Sequence, residues 1–234
     1  MSAVRNSVSG QLRTDDVLVQ ISRIAPEVVA GYGQIREVIA ADGALSAAWK
    51  ALLVAVCATA RGYGEMARTE LDRGRAAGIG DREIGIAAVA LLLARGEQLT
   101  ARFVEIAGGL SAPDSPRPAS ELGAEAYFRD YLAVPALPRR MEIMSERVPG
   151  VFAGYHRMHH GALAADPSAT KLAELVLIAL NAAEIQREFV RIHAATARKA
   201  SATDDELVEA IVCAIRVAGV AAWAAGAEGL FPDA

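Results

Sequence analysis

The stretch Ala25-Pro26-Glu27-Val28-Val29-Ala30-Gly31-Tyr32 returns later in the chain as Val148-Pro149-Gly150-Val151-Phe152-Ala153-Gly154-Tyr155. A shift of 123 residues places Pro26 on Pro149, Val28 on Val151, Ala30 on Ala153, Gly31 on Gly154 and Tyr32 on Tyr155. The same shift carries Glu65 onto Glu188, Arg68 onto Arg191, Arg75 onto Arg198, Glu83 onto Glu206 and Gly96 onto Gly219. Self-similarity at a fixed spacing marks a repeated structural unit, so the chain reads as two tandem copies. Lys50 and Lys171 lie 121 apart, which predicts a two-residue length change between Tyr32 and Glu65.

Each copy reads as the same run of helices. A Pro-started helix (26–40; 149–165) precedes an apolar one (46–59; 169–180) and a mixed one (64–77; 185–200). A long capped apolar helix closes each copy (81–107; 203–227). Thr203 with Glu206 forms a capping box, and Gly78 suits a helix stop. The 234 residues are 53% hydrophobic but only 5% aromatic. Ala-rich apolar runs with few aromatic or β-branched residues favour packed helices over a sheet, so the expected class is all-α. The expected organisation is a leader and first helix over 1–23, capped at Asp15 or Asp16. The first copy follows over 24–110. A Pro/Ser-rich linker with one or two connecting helices, interrupted at Pro135 and Pro138, takes 111–147. The second copy fills 148–234.

Composition excludes several classes. The formal net charge of −4 comes with no basic face, which argues against nucleic acid. The longest apolar stretch, Leu172 to Ala183, contains Glu174 and is followed by Glu184, so no membrane span is expected. The polar N-terminus lacks the apolar core of a secretion signal, which points to the cytoplasm. Cys57 and Cys213 lie in apolar runs without motif spacing and read as buried thiols. No Gly-rich phosphate loop is present, and no cofactor is expected.

The candidate chemistry gathers around Gln186-Arg187-Glu188-Phe189-Val190-Arg191-Ile192-His193. Gln186, Phe189 and His193 recur at helical spacing and would share one face. Glu174 precedes His193 by nineteen positions, enough for a preceding helix to bring a carboxylate to the imidazole. A carboxylate beside a His is ordinary equipment for moving protons near neutral pH. Glu188 is a weaker candidate, because its shifted counterpart Glu65 also has an Arg three residues on. Tyr155 and His156 would line the pocket, with Met158 and Phe189 as apolar walls. His156 and His160 have the spacing for a metal on one helix, but no third ligand is fixed, and no metal is assigned. Arg139 and Arg140 could meet a substrate carboxylate or lie on the surface.

The second copy resembles the carboxymuconolactone decarboxylase superfamily, which includes the AhpD-like peroxidases. The family's Lys-x-x-Glu is matched by Lys171-x-x-Glu174, and its Cys-x-x-Cys-x-x-x-His by Gln186-x-x-Phe189-x-x-x-His193. Ala197, Ser201 and Glu206-Leu207 follow. In the first copy the corresponding run is Tyr63-x-x-Met66-x-x-x-Glu70 with Gly78 and Glu83-Ile84, and it has lost both Glu and His. Both cysteines are missing from both copies, so thiol peroxidase chemistry is not expected. The resemblance implies a carboxy-lyase-like enzyme without a cofactor, decarboxylating or isomerising a small lactone or keto-acid-like substrate. His193 and Glu174 would be catalytic; Gln186, Phe189, Glu188, Tyr155 and His156 would bind substrate. It also implies a homo-oligomer, a trimer or hexamer. The alternative is a scaffold of the same superfamily that binds a small ligand or another protein without catalysis.

Overall fold

The computed structural model describes residues 14–111, 120–163 and 167–231, with side chains from residue 16. The expected leader, most of the Pro/Ser-rich linker and the last turn of the helix expected over 149–165 lie outside the described residues. Among the described residues the chain is all-α, with thirteen helices and no strand. No described helix is long and apolar enough to cross a membrane.

The chain divides into two compact units after Val38. The first holds α1 (Thr14–Ser22) and most of α2 (Pro26–Ala40). Asp16 lies inside α1 as a first-turn carboxylate and not at its cap, because the helix already begins at Thr14. Pro26 opens α2, where its fixed φ suits a helix and its missing N–H costs nothing.

The second unit contains everything from Ile39 on. It opens with α3 (Ala47–Ala60), capped by Ser46, whose hydroxyl accepts from Trp49 N–H at 3.2 Å. Then come α4 (Gly64–Ala76), α5 (Asp81–Arg95) and α6 (Glu97–Ala107). Two connecting helices follow, α7 (Ala124–Leu132) and α8 (Arg139–Arg147), with Pro135 and Pro138 between them as expected. The later half comprises α9 (Pro149–Leu163), α10 (Pro167–Ala183), α11 (Arg187–Lys199), α12 (Asp204–Ala218) and α13 (Val220–Leu230). The Thr203–Glu206 capping box forms in both directions, at 2.8 and 3.2 Å.

Two expectations change. The long closing helices are each two helices, broken at Gly96 (φ 76°, ψ −173°) and Gly219 (φ 72°, ψ −172°). Only glycine reaches that backbone region without strain, so each glycine ends one helix and starts the next. The two-residue length change is also absent. α2 and α9 begin 123 residues apart, and α3 and α10 end 123 apart. Lys50 and Lys171 therefore stand at different places. Lys50 meets Glu209 at 3.3 Å, whereas Lys171 meets Glu206.

α10 forms the centre. It is buried without a break from Leu172 to Ala183, as α3 is from Lys50 to Thr59. Helices apolar all round must be covered on every side. α10 packs on α3, α5, α9, α11, α12 and α13, and α3 reciprocally packs on α12. Truncating a wholly buried Leu here, such as Leu175 or Leu52, costs about 2–5 kcal/mol. Ion pairs tie the early helices to the late ones. Glu209 accepts from Leu45 N–H at 2.8 Å and from Ala44 N–H at 3.1 Å, besides meeting Lys50. Arg95 binds Glu184 at 2.7 Å. Glu70 is held by Arg73 at 2.8 Å and by Arg216. A satellite core of Phe128, Met141 and Phe152 fastens α7 and α8 to α9.

Candidate active site

Glu174 projects from the middle of α10 and is wholly buried. His193 comes from α11, which packs directly on α10. The nineteen-residue spacing brings them together: Nδ1 of His193 lies 2.8 Å from Oε2 of Glu174. A third group joins from α7. The Tyr131 hydroxyl donates to Glu174 Oε1 at 3.2 Å and lies 3.1 Å from His193 Nδ1. Burial, and then the Glu174 charge, push the Tyr131 phenol well above its ordinary range, so it remains a donor. With Tyr131 on one carboxylate oxygen, the hydrogen-bond pattern assigns Nδ1–H of His193 to the other. Nε2 is then the ring's free base.

His193 borders a cavity of about 220 Å³. Its walls are mostly apolar: Phe128, Leu132, Met141 and Met144 on one side, Phe189 and Ile192 on α11. The polar groups at its edge are Tyr131, Tyr155, His159, Arg140 and His193. Arg140 pairs with Glu188 at 2.8 Å and sits 5.8 Å from the Phe189 ring centroid. Burial raises the Tyr155 phenol and nearby Arg140 only partly opposes this, so Tyr155 also keeps its proton.

Behind His193 lies a second polar layer. His159 is 2% exposed, and its Nδ1 is 2.8 Å from the Tyr127 hydroxyl. Burial, followed by the neighbouring His193, His156 and His160, lowers the His159 imidazole to about 3. Its ring stands edge-on to Tyr131, with centroids 4.4 Å apart. His156 is buried against Tyr127 at 4.8 Å between centroids, and its Nε2 has no hydrogen-bond partner among the described residues.

The geometry sorts the expected residues. His193, Glu174, Phe189 and Tyr155 meet at or behind one cavity. Glu188 reaches its edge only through Arg140, and not by the pairing with Arg191 that its spacing suggested. His156 lies behind the cavity in the Tyr127 layer. Gln186 does not line it: Ile185 takes a left-handed turn (φ 61°), and Gln186 becomes the exposed residue ahead of α11. Met158 is 41% exposed, and the methionines of the wall are Met141 and Met144. Of the arginine pair, Arg140 reaches the cavity, while Arg139 pairs along its own helix with Glu142 at 3.3 Å. At the shifted place of His193 stands Glu70, clasped by two guanidinium groups, and Ala51 stands at that of Glu174.

Sequence reasoning missed Tyr131, Tyr127 and His159. The signal for the two tyrosines was Tyr127-Phe128-x-x-Tyr131, an aromatic cluster at i, i+1 and i+4 in a chain that is only 5% aromatic, while His159 stood in the His-rich run 155–160.

Residues 149–230 match the model of the carboxymuconolactone decarboxylase family. Over this segment the chain is similar to that family. No curated protein matches the chain. The matched segment supplies Glu174, His193, Tyr155, His159 and Phe189, whereas Tyr127, Tyr131 and Arg140 come from α7 and α8, ahead of it.

Proposed function

We propose that this protein is a decarboxylase-like enzyme that moves protons on a small lactone or keto-acid-like substrate in the cavity beside His193. The observation that carries this reading is the Glu174–His193–Tyr131 network at the wall of a mostly apolar hollow. Glu174 orients the imidazole through Nδ1, as carboxylates behind catalytic histidines do. Nε2 of His193 takes a proton from the carbon next to a carbonyl, or returns one after CO₂ has left. In the second case the C–C bond breaks and its electron pair moves onto the carbonyl as an enolate. His193, which has first taken a proton at Nε2 from solvent or from the substrate's carboxyl group, then passes it to the carbon and is left as the base. Arg140 is the cation at the cavity edge and suits a substrate carboxylate, in exchange for Glu188. The small volume limits the substrate to fewer atoms than a drug-sized ligand.

The helix bounds support descent from a duplicated unit. Besides the pairs above, α4 and α11, α5 and α12, and α6 and α13 all begin and end 123 residues apart. On this reading the first copy has exchanged its His and Glu for the Glu70 cluster. We further propose a homotrimer, in which each chain contributes two units; size-exclusion chromatography with light scattering checks it.

The functional test is a panel of small keto acids and lactones, assayed by CO₂ release and by deuterium uptake at carbon. His193→Ala is expected to lower turnover at least about 100-fold, the scale of a lost acid–base group. Alkylating unfolded-accessible thiols is expected to leave native activity intact, because Cys57 and Cys213 are wholly buried and burial pushes the Cys57 thiol up to about 12. A folded His193→Ala protein with unchanged turnover would remove His193 from the chemistry, and ligand binding with no turnover in either protein would establish a non-catalytic binder instead.

A further inference from the structure

The acid–base reading leaves one requirement open. An enolate formed beside His193 needs a hydrogen-bond donor at its oxygen, and of the cavity's other polar groups Tyr131 is engaged by Glu174 and Arg140 by Glu188, which leaves Tyr155 and His159. Gln186 cannot supply it from its exposed place before α11. His156 lies behind the wall.

We propose that His159 is the group that polarises the substrate carbonyl, donating from Nε2–H in a tautomer fixed by Tyr127. His159 borders the same cavity as His193 and is otherwise enclosed by protein. Its Nδ1 is taken, at 2.8 Å, by the Tyr127 hydroxyl. Burial, and then the charge of Glu174, hold that phenol far above its ordinary range, so Tyr127 carries a proton to give. A neutral imidazole that accepts at Nδ1 must carry its proton on Nε2. Nε2 is also the polar atom left once Nδ1 is engaged. The ring stays neutral through the physiological range, because charging it would set a buried cation beside three other histidines. It is therefore a donor that does not give its proton away.

The two histidines are thus opposites. His193 has a carboxylate behind Nδ1, which holds the ring and leaves Nε2 to act as the base. His159 has a phenol behind Nδ1, which makes Nε2–H a neutral donor. Tyr131 separates them, touching His193 by its hydroxyl and His159 by its ring. When His193 removes the proton from carbon, the C–H electron pair moves towards the carbonyl oxygen. The hydrogen bond from His159 strengthens as charge develops there, and no proton need be transferred from it.

This inference rests on the acid–base reading above, and the test separates the two. The first measurement needs no substrate. Long-range ¹H–¹⁵N spectra of the full chain are expected to show His159 as the Nε2–H tautomer from pH 5 to 8. In Tyr127→Phe that tautomer is expected to mix with the Nδ1–H form. The second measurement uses [2-¹³C]2-oxobutanoate as the probe. Its bound carbonyl resonance is expected to move downfield in the wild type and in His193→Gln, and to lose that shift in His159→Phe. Deuterium uptake at C3 is expected to fall about 100-fold in kcat for His159→Phe, with KM changed far less, the scale of one lost oxyanion donor. His159→Gln, which returns an N–H to the cavity, is expected to recover part of the loss.

An Nδ1–H or charged His159 in the folded wild type at pH 7 overturns the inference, whatever becomes of the variants. So does a folded His159→Phe that keeps the carbonyl shift and the exchange rate while His193→Gln loses exchange; the acid–base reading then stands alone. If the wild type neither binds nor exchanges the probe, both fall together.

Discussion

The Tyr131 hydroxyl reaches across from α7 to Oε1 of Glu174 at 3.2 Å, so the one fully buried carboxylate at the cavity has both oxygens engaged. Because burying an unpaired charge is expensive, this bond does structural as well as chemical service. Tyr131→Phe removes only the hydroxyl and leaves the ring that stands against His159. The variant is expected to lose about 1–3 kcal/mol of stability, the cost of leaving a buried acceptor without its donor. Chemical denaturation measures it, and unchanged stability would show that Glu174 finds other company.

The buried histidines set the acid limb of stability. His159 falls from its ordinary 6.5 to about 3 on folding, so between those values the unfolded chain binds a proton that the folded one refuses. Its stabilising contribution is whole above pH 6.5 and is lost progressively as pH falls towards 3. One such group gives a slope of up to about 1.4 kcal/mol per pH unit in that window. His156, lowered by burial and then by His160, adds in the same direction. Tyr127, Tyr131, Tyr155 and His193 also surround the His159 ring, but the tyrosines do not titrate there. Denaturation at intervals from pH 5 to 6.5 is expected to show a steeper fall for wild type than for His159→Asn. Parallel curves would place the His159 proton elsewhere.

Ile185 occupies a left-handed conformation (φ 61°) in the turn between α10 and α11, where the shifted position of the first half has Gly62 at φ 81°. A side chain in that region costs roughly 1–2 kcal/mol, and Ile185 is 48% exposed, so little burial repays it. Part of the gain from glycine is offset by its greater freedom when unfolded. Ile185→Gly is expected to raise stability by about 1 kcal/mol, seen as a higher urea midpoint at constant slope. A lower midpoint would mean that the isoleucine makes a contact worth more than its strain.

Much of the bundle was legible in local chemistry. Pro26, Pro149, Ser46 and the Thr203–Glu206 box mark helix starts because each meets a backbone need within a few residues. Glu174 and His193 were legible together because two adjacent helices with a short turn bring nineteen-residue partners close. Gln186 was misplaced because helical spacing was carried back through Ile185, where the backbone turns left-handed. Gly96 and Gly219 fall inside the ranges expected as single helices, 81–107 and 203–227, yet their φ and ψ are the break itself. Tyr131 stands 43 residues from Glu174 and 62 from His193, and no periodicity encodes a contact of that range. It depends on how α7 settles on α9, a matter of tertiary packing.

The cavity takes one wall from helices that lie ahead of residues 149–230. An excised 148–234 fragment would carry the base and its carboxylate but expose them to water, with no phenol on Oε1 and no guanidinium at the mouth. The interval joining the halves thus behaves as an interchangeable roof. Substitutions in α7 and α8 could retune which molecule is admitted, leaving the proton-handling pair and the bundle beneath it untouched.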